Sequence, residues 1–103
     1  MNIELLQTFI ILAQTKNFSR TAETLFVSQP TVTARIKQLE EELGSELFYK
    51  GNKGVTTLTV AGEYFLEYAK KSLAMLDEGK ITVAALGKYK STLKIAAPFH
   101  LIC

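Results

Sequence analysis

The chain has almost no cysteine or histidine, the residue types that build disulfides, zinc sites and most nucleophile-base pairs. Its 103 residues include one cysteine, one histidine, two prolines and no tryptophan. A single cysteine cannot form an intramolecular disulfide, which is typical of proteins from a reducing cytoplasm. His100 and Cys103 both lie in the tail and offer neither a nucleophile-base pair nor a metal cluster. We therefore expect no enzyme activity, no cofactor and no metal ion.

Long apolar runs and a strong net charge are also missing. No stretch of eighteen apolar residues could span a membrane. The opening MNIELLQTFIILAQ has no basic start and carries Glu4 and Gln7, so it predicts a buried helix, not a signal peptide. We expect one compact, soluble, cytoplasmic domain. Residues 1–62 contain six basic and six acidic groups, so binding to nucleic acid would require the basic groups to share one surface.

The most specific segment is residues 17–48, NFSRTAETLFVSQPTVTARIKQLEEELGSELF. Its first part predicts a short helix from about Ser19 to Phe26. Ser19 is read as the N-cap because its side-chain oxygen precedes the helical stretch. Ala22 and Leu25 lie three apart and form the buried side.

A second helix is predicted from about Gln29 to Leu43. Ser28 is its N-cap, and Pro30 is tolerated only in a first helical turn. Gly44 supplies the left-handed stop. The apolar residues that must face a core recur at spacings of four, three and four: Val32, Ile36, Leu39 and Leu43.

Two short helices around a tight turn predict a helix-turn-helix whose second helix enters a DNA groove. Projection at about 100° per residue leaves Pro30, Thr33, Ala34 and Lys37 exposed. Gln29 and Thr33 could hydrogen-bond base edges, while Pro30 and Ala34 could contact a thymine methyl group. Ordinary packing of two amphipathic helices is the alternative. The residues predicted to contact DNA in this segment are Ser19, Arg20, Ser28, Gln29, Pro30, Thr31, Thr33, Ala34, Arg35 and Lys37.

The N-terminal helix is predicted to support this unit from behind. Leu6, Phe9 and Ala13 would pack against the helix-turn-helix. Leu5 and Leu12 would remain for another partner.

The first sixty-two residues contain a nearly continuous set of positions typical of one protein family. They are Phe9, Leu12-Ala13, Asn17-Phe18-Ser19, Ala22, Leu25, Val27 to Pro30, Val32, Ile36, Leu39-Glu40, Leu43-Gly44, Leu47-Phe48 and Leu58 to Gly62. Through these positions the chain closely resembles the N-terminal winged helix-turn-helix domain of LysR-type transcriptional regulators. The resemblance implies a mainly α fold with three helices and a two-stranded wing, followed by a long linker helix. The family commonly has alanine, serine, arginine and glutamine where this chain has Thr21, Thr33, Ala34 and Arg35.

The family's wing corresponds to residues 48–58, FYKGNKGVTTL. Its glycines and β-branched residues agree with a hairpin. Lys50 and Lys53 stand where the family usually has arginines. Lysine lacks the bidentate fork, so we expect both to contact phosphates, with solvated loop lysines as the alternative.

A long helix is predicted from Thr59, its cap, to about Leu86, ending near Gly87. At 1.5 Å per residue it would extend roughly 42 Å, too far for a small domain to cover. A seam of alternating four and three spacing predicts a homodimer, with a higher oligomer left open. The alternative is a helix that folds back on its own domain. The resemblance implies antiparallel pairing and an interrupted inverted repeat as target. The seam positions are Phe65, Ala69, Ser72, Leu76, Val83 and Leu86, with Gly79 between them.

The predicted organisation is a winged domain over residues 1–58, a linker helix over 59–87 and a tail over 88–103. The tail looks like the start of the family's effector-binding domain, cut short, and we expect residues beyond about Lys90 to be disordered or paired with another chain. A small-molecule effector would act only if that domain were present. The function expected is sequence-specific binding to double-stranded DNA by a cytoplasmic, nucleoid-associated bacterial regulator. The alternative is a dimerisation module without its own DNA binding.

Overall fold

A computed structural model describes residues 1–49 and 55–90 of the chain. Three helices come first, followed by two short strands and a long helix. The chain divides into two units between Leu73 and Ala74. The elements are α1 (Ile3–Thr15), α2 (Phe18–Leu25), α3 (Gln29–Leu43), β1 (Phe48–Tyr49), β2 (Thr57–Leu58) and α4 (Val60–Lys90).

The core of the first unit is built around Phe9 of α1. Its ring lies 5.4 Å from the rings of both Phe48 and Phe65, so one side chain joins α1 to β1 and α4. Leu5 and Leu12 are also fully buried, whereas Leu6 and Ala13 are only partly buried. The prediction that Leu5 and Leu12 face another partner is therefore wrong. Helix α1 is covered on several sides by its own chain.

Side-chain caps define where α1, α2 and α3 begin. Asn2 and Ser28 cap α1 and α3, the latter as predicted. Helix α2 begins one residue earlier than expected, and its cap is Asn17, whose Oδ1 accepts a hydrogen bond from the Arg20 N–H at 2.8 Å. Ser19 is not the cap, because it already lies inside the first turn. Gly44 ends α3 with a φ of 70°, as the sequence predicts.

The two strands pair antiparallel, with Phe48 opposite Leu58 and Tyr49 opposite Thr57. This confirms the predicted hairpin at its base. Lys50, Lys53 and the turn between them lie outside the described residues. Thr59 follows the second strand and donates from its hydroxyl to the Glu46 carbonyl at 2.7 Å.

Helix α4 begins at its predicted cap but does not end at Gly87. The Thr59 hydroxyl accepts a hydrogen bond from the Gly62 N–H at 3.0 Å, and the helix continues to Lys90. A glycine inside a helix costs about 1 kcal/mol, which neighbouring helix-forming residues can offset. The prediction made for the tail concerns residues 91–103, which lie outside the described part of the chain.

Of the first two residues of the predicted seam, Ala69 is buried in the core of the first unit and Phe65 packs against that core. Ser72, Leu76, Val83 and Leu86 are exposed. The stripe is therefore divided: its beginning covers this chain's own domain, and the rest is uncovered in the described structure. None of the helices described in residues 1–49 and 55–90 is long and apolar enough to cross a membrane.

Candidate nucleic-acid interface

The turn between α2 and α3 is fixed by backbone hydrogen bonds. Phe26 ends α2 in the left-handed region with a φ of 57°, and the Val27 N–H then donates to the Ala22 carbonyl at 3.0 Å. Ser28 opens α3, where its Oγ accepts from the Thr31 N–H at 3.3 Å. This arrangement sets the start of α3 directly beside α2.

Three buried side chains determine which face of α3 is turned outward. Val32, Ile36 and Leu39 are inserted into the core and are at most 4% exposed. Gln29, Pro30, Thr33 and Ala34 are all exposed and line one shallow depression of about 520 Å³. The predicted exposure of this face is confirmed. Its role in reading bases stays a prediction.

Gln29 has a partner on the neighbouring helix. The Ser19 hydroxyl donates to Gln29 Oε1 at 3.0 Å, which joins the first turn of α2 to the first residue of α3. Both residues were predicted to contact DNA, but the contact between them was not predicted. No sequence signal identifies it, because the two positions become neighbours only when the turn is formed.

A second groove lies between α3 and the base of the wing. It has a volume of about 380 Å³, and its wall includes Thr33, Lys37 and Tyr49. Glu40 also lines this groove. Its Oε2 accepts from the Leu47 N–H at 2.7 Å and the Phe48 N–H at 3.3 Å. Through these two hydrogen bonds the Glu40 carboxylate holds Leu47 and Phe48, where the chain enters the wing.

The predicted basic contacts differ in their surroundings. Arg20 and Lys37 are exposed. Arg35 is half-buried, and its Nη1 donates to the Thr8 hydroxyl of α1 at 3.3 Å. The structure therefore places one arm of this guanidinium against α1, and any DNA contact of Arg35 stays a prediction. Thr31, another predicted contact, is half-buried beside Ser28, with 2.8 Å between their hydroxyl oxygens.

Glu42, near the end of α3, forms an ion pair with the N-terminus of the chain. The Met1 α-amino group lies 2.8 Å from Glu42 Oε1. The hydrogen bond from this ammonium group, aided by one from Gln38, lowers the pKa of the Glu42 carboxyl below its usual value. The described residues contain no group of three histidine, cysteine, aspartate or glutamate side chains that could hold a metal ion.

Residues 3–63 match the family model described as bacterial regulatory helix-turn-helix protein, lysR family. The chain belongs to the LysR family. One relative is the HTH-type transcriptional regulator CitR of Bacillus subtilis, 42% identical over 100 residues. That match covers 93% of this chain and 33% of CitR. This LysR-family chain thus spans about a third of the length of the curated relatives it matches.

Solved structures give the same result for the fold. The CbnR DNA-binding domain in complex with DNA has a TM-score of 0.81 and 33% identity, covering 84% of this chain and 99% of that chain. The BenM DNA-binding domain bound to catB site 1 DNA has a TM-score of 0.79 and 29% identity, covering 84% and 97%. These likenesses confirm the mainly helical fold with a two-stranded wing.

Proposed function

We propose that this chain is the DNA-binding part of a LysR-type transcriptional regulator and recognises specific sequences in double-stranded DNA. The exposed face at the start of α3 carries the proposal. Four exposed residues, two polar and two apolar, lie there side by side, while the opposite face is fixed in the core. The similarity to domains solved with DNA supports this assignment.

The proposal assigns a contact with DNA to each group on this face and to the cations beside it. Gln29 and Thr33 supply hydrogen bonds to base edges in the major groove, and Pro30 and Ala34 supply apolar contact to thymine methyl groups. The exposed cations Arg20 and Lys37 neutralise phosphates and set the register of the domain on the duplex. Ser28 and the N-terminus of α3 favour an adjacent phosphate.

We further propose that the chain acts as a homodimer through the second half of α4. Leu76, Val83 and Leu86 are 43%, 68% and 59% exposed. Leu76 and Val83 line a depression of about 510 Å³ with Gly79 and Ala84, whose small side chains permit close helix approach. A two-fold dimer would bind an interrupted inverted repeat. Its site of action would be the bacterial cytoplasm.

Selection of binding sites from a random duplex pool tests the DNA-binding proposal. The wild type is expected to enrich one sequence class and to bind it more tightly than a shuffled duplex. Ala34→Glu places a negative charge on the proposed face and should abolish binding. Gln7→Glu is the matched control, because it introduces the same charge at an exposed position of α1 that does not line the depression.

Two results would contradict the proposal. One is equal DNA binding by Ala34→Glu and the wild type. The other is a folded wild-type dimer that enriches no sequence at all, which would favour a dimerisation module without DNA binding.

A further inference from the structure

Ser19 and Gln29 form a polar pair at the edge of the α3 face. The Ser19 hydroxyl donates to Gln29 Oε1 at 3.0 Å, across ten positions of sequence. Both side chains are exposed, so neither is fixed by burial. Their mutual contact is the interaction that orients the Gln29 amide in the described structure.

Neither residue is needed to begin its helix. Asn17 caps α2 through its own side chain, and Ser28 caps α3. The Ser19 hydroxyl is therefore available to Gln29 without loss of a cap. Removing that hydroxyl should leave the fold intact, which separates an effect on recognition from an effect on stability.

The direction of this hydrogen bond determines what Gln29 offers to DNA. The oxygen and the amino group of an amide are bonded to the same carbon and point in different directions. When Oε1 is turned toward Ser19, the Nε2 amino group is turned away from it with two free donors. A glutamine held in this way presents donors, whereas bidentate pairing with adenine requires the oxygen and the nitrogen together.

We propose that Ser19 is a positioning residue that makes Gln29 read hydrogen-bond acceptors, with guanine preferred over adenine and cytosine. The inference rests on the proposed DNA binding and adds a base preference to it. In the major groove guanine presents two acceptors, N7 and O6, which suit two donors. Adenine presents one acceptor beside a donor, and cytosine presents a donor.

The experiment begins by locating the base pair that Gln29 reads. Comparing the sites selected by wild type and Gln29→Ala identifies the position at which discrimination is lost. Dissociation constants are then measured on four duplexes that differ only at that base pair. The proteins compared are wild type, Ser19→Ala, Ser19→Thr, Gln29→Ala and the double variant Ser19→Ala/Gln29→Ala.

The wild type is expected to bind the guanine duplex most tightly. Ser19→Ala should reduce the preference for guanine over adenine about 3- to 10-fold, the range of one hydrogen bond. Ser19→Thr keeps the hydroxyl and should retain the preference. In the Gln29→Ala background, Ser19→Ala should have no further effect at this base pair. The urea midpoint of Ser19→Ala should equal that of the wild type.

Three outcomes would overturn the inference. Equal weakening on all four duplexes by Ser19→Ala would make Ser19 a backbone contact. A wild-type preference for cytosine would mean that the amide presents its oxygen to the base. Full retention of the guanine preference in Ser19→Ala would show that Gln29 needs no positioning. A wild type that selects no sequence overturns the proposed function itself, which is a separate and recognisable result.

Discussion

The carboxylate of Glu40 in α3 accepts a hydrogen bond from the backbone N–H of Leu47 at 2.7 Å. The same oxygen accepts from the Phe48 N–H at 3.3 Å. Leu47 and Phe48 are buried in the core, so the end of the helix, the connecting turn and the first strand are fixed together. One acidic side chain of α3 therefore helps to hold the start of β1, at the base of the wing, against the helix.

Glu40→Ala should lower the free energy of unfolding by about 1–3 kcal/mol, because it removes the acceptor for partly buried backbone donors. Urea denaturation measures this change. Glu40→Gln keeps one acceptor oxygen and should lose less. Glu41→Ala, at the exposed neighbouring position, is the control and should stay within about 0.5 kcal/mol of the wild type. Equal stability of Glu40→Ala and Glu41→Ala would show that the carboxylate does not hold the wing.

The close approach of α4 to the chain before β1 gives a second prediction. A Cβ added at Gly62 would lie 2.2 Å from the Leu47 carbonyl oxygen and 2.8 Å from a Leu58 methyl carbon. Gly62→Ala should therefore destabilise the domain by at least about 1–3 kcal/mol. Gly87→Ala is the matched control, since a Cβ there meets nothing within 4 Å. A normal thermal midpoint for Gly62→Ala would contradict the packing described.

Lys37 gives a prediction about the salt dependence of binding. Its exposed side chain lines the groove between α3 and the base of the wing, and its ammonium group should neutralise one phosphate. Lys37→Gln should weaken binding to all sequences alike and reduce the slope of log K against log salt by about 1. Lys70→Gln removes an equal charge from an exposed site on α4 and should leave the slope unchanged. Identical slopes for wild type and Lys37→Gln would rule out this phosphate contact.

Local signals were sufficient to predict the boundaries of α3. A capping serine, a proline in the first turn, a four-three apolar repeat and a closing glycine all agree there. For α2 the predicted cap, Ser19, is wrong, and Asn17 was not considered as a cap although asparagine is equally typical of that position. Phe18 lies between them as the first residue of the helix and packs against the core, a contact that exists only in the folded chain.

Helix α1 shows the limit of assigning one buried face to each helix. Leu5 and Leu12 were expected to face a partner, but α2 and α3 contact α1, and Phe65 of α4 reaches its Phe9 ring. The contacts of Glu40 with Leu47, of Arg35 with Thr8 and of Ser19 with Gln29 were also missed. Each joins residues seven or more positions apart, so each exists only after the helices have packed.

The exposed half of α4 predicts how the dimer can be broken. Leu76→Asp places a charge in the proposed contact and should convert the dimer to a monomer, because an unpaired charge is costly to bury. Leu76 belongs to the second unit, so the winged domain should remain folded. Sedimentation velocity at micromolar concentration measures the change. Ala74→Asp, at an exposed position outside the depression, is the control. A monomeric wild type, or a dimeric Leu76→Asp, would overturn the dimer proposal.

The central claim is that the exposed start of α3 reads DNA sequence, and base-pair-resolved binding by Gln29→Ala and Thr33→Ala tests it most directly. Each variant should lose discrimination at its own base pair by about 1–3 kcal/mol, while Gln38→Ala on the same helix keeps the wild-type preference. Circular dichroism should show all three variants folded. Unchanged base preferences in both Gln29→Ala and Thr33→Ala would contradict the account.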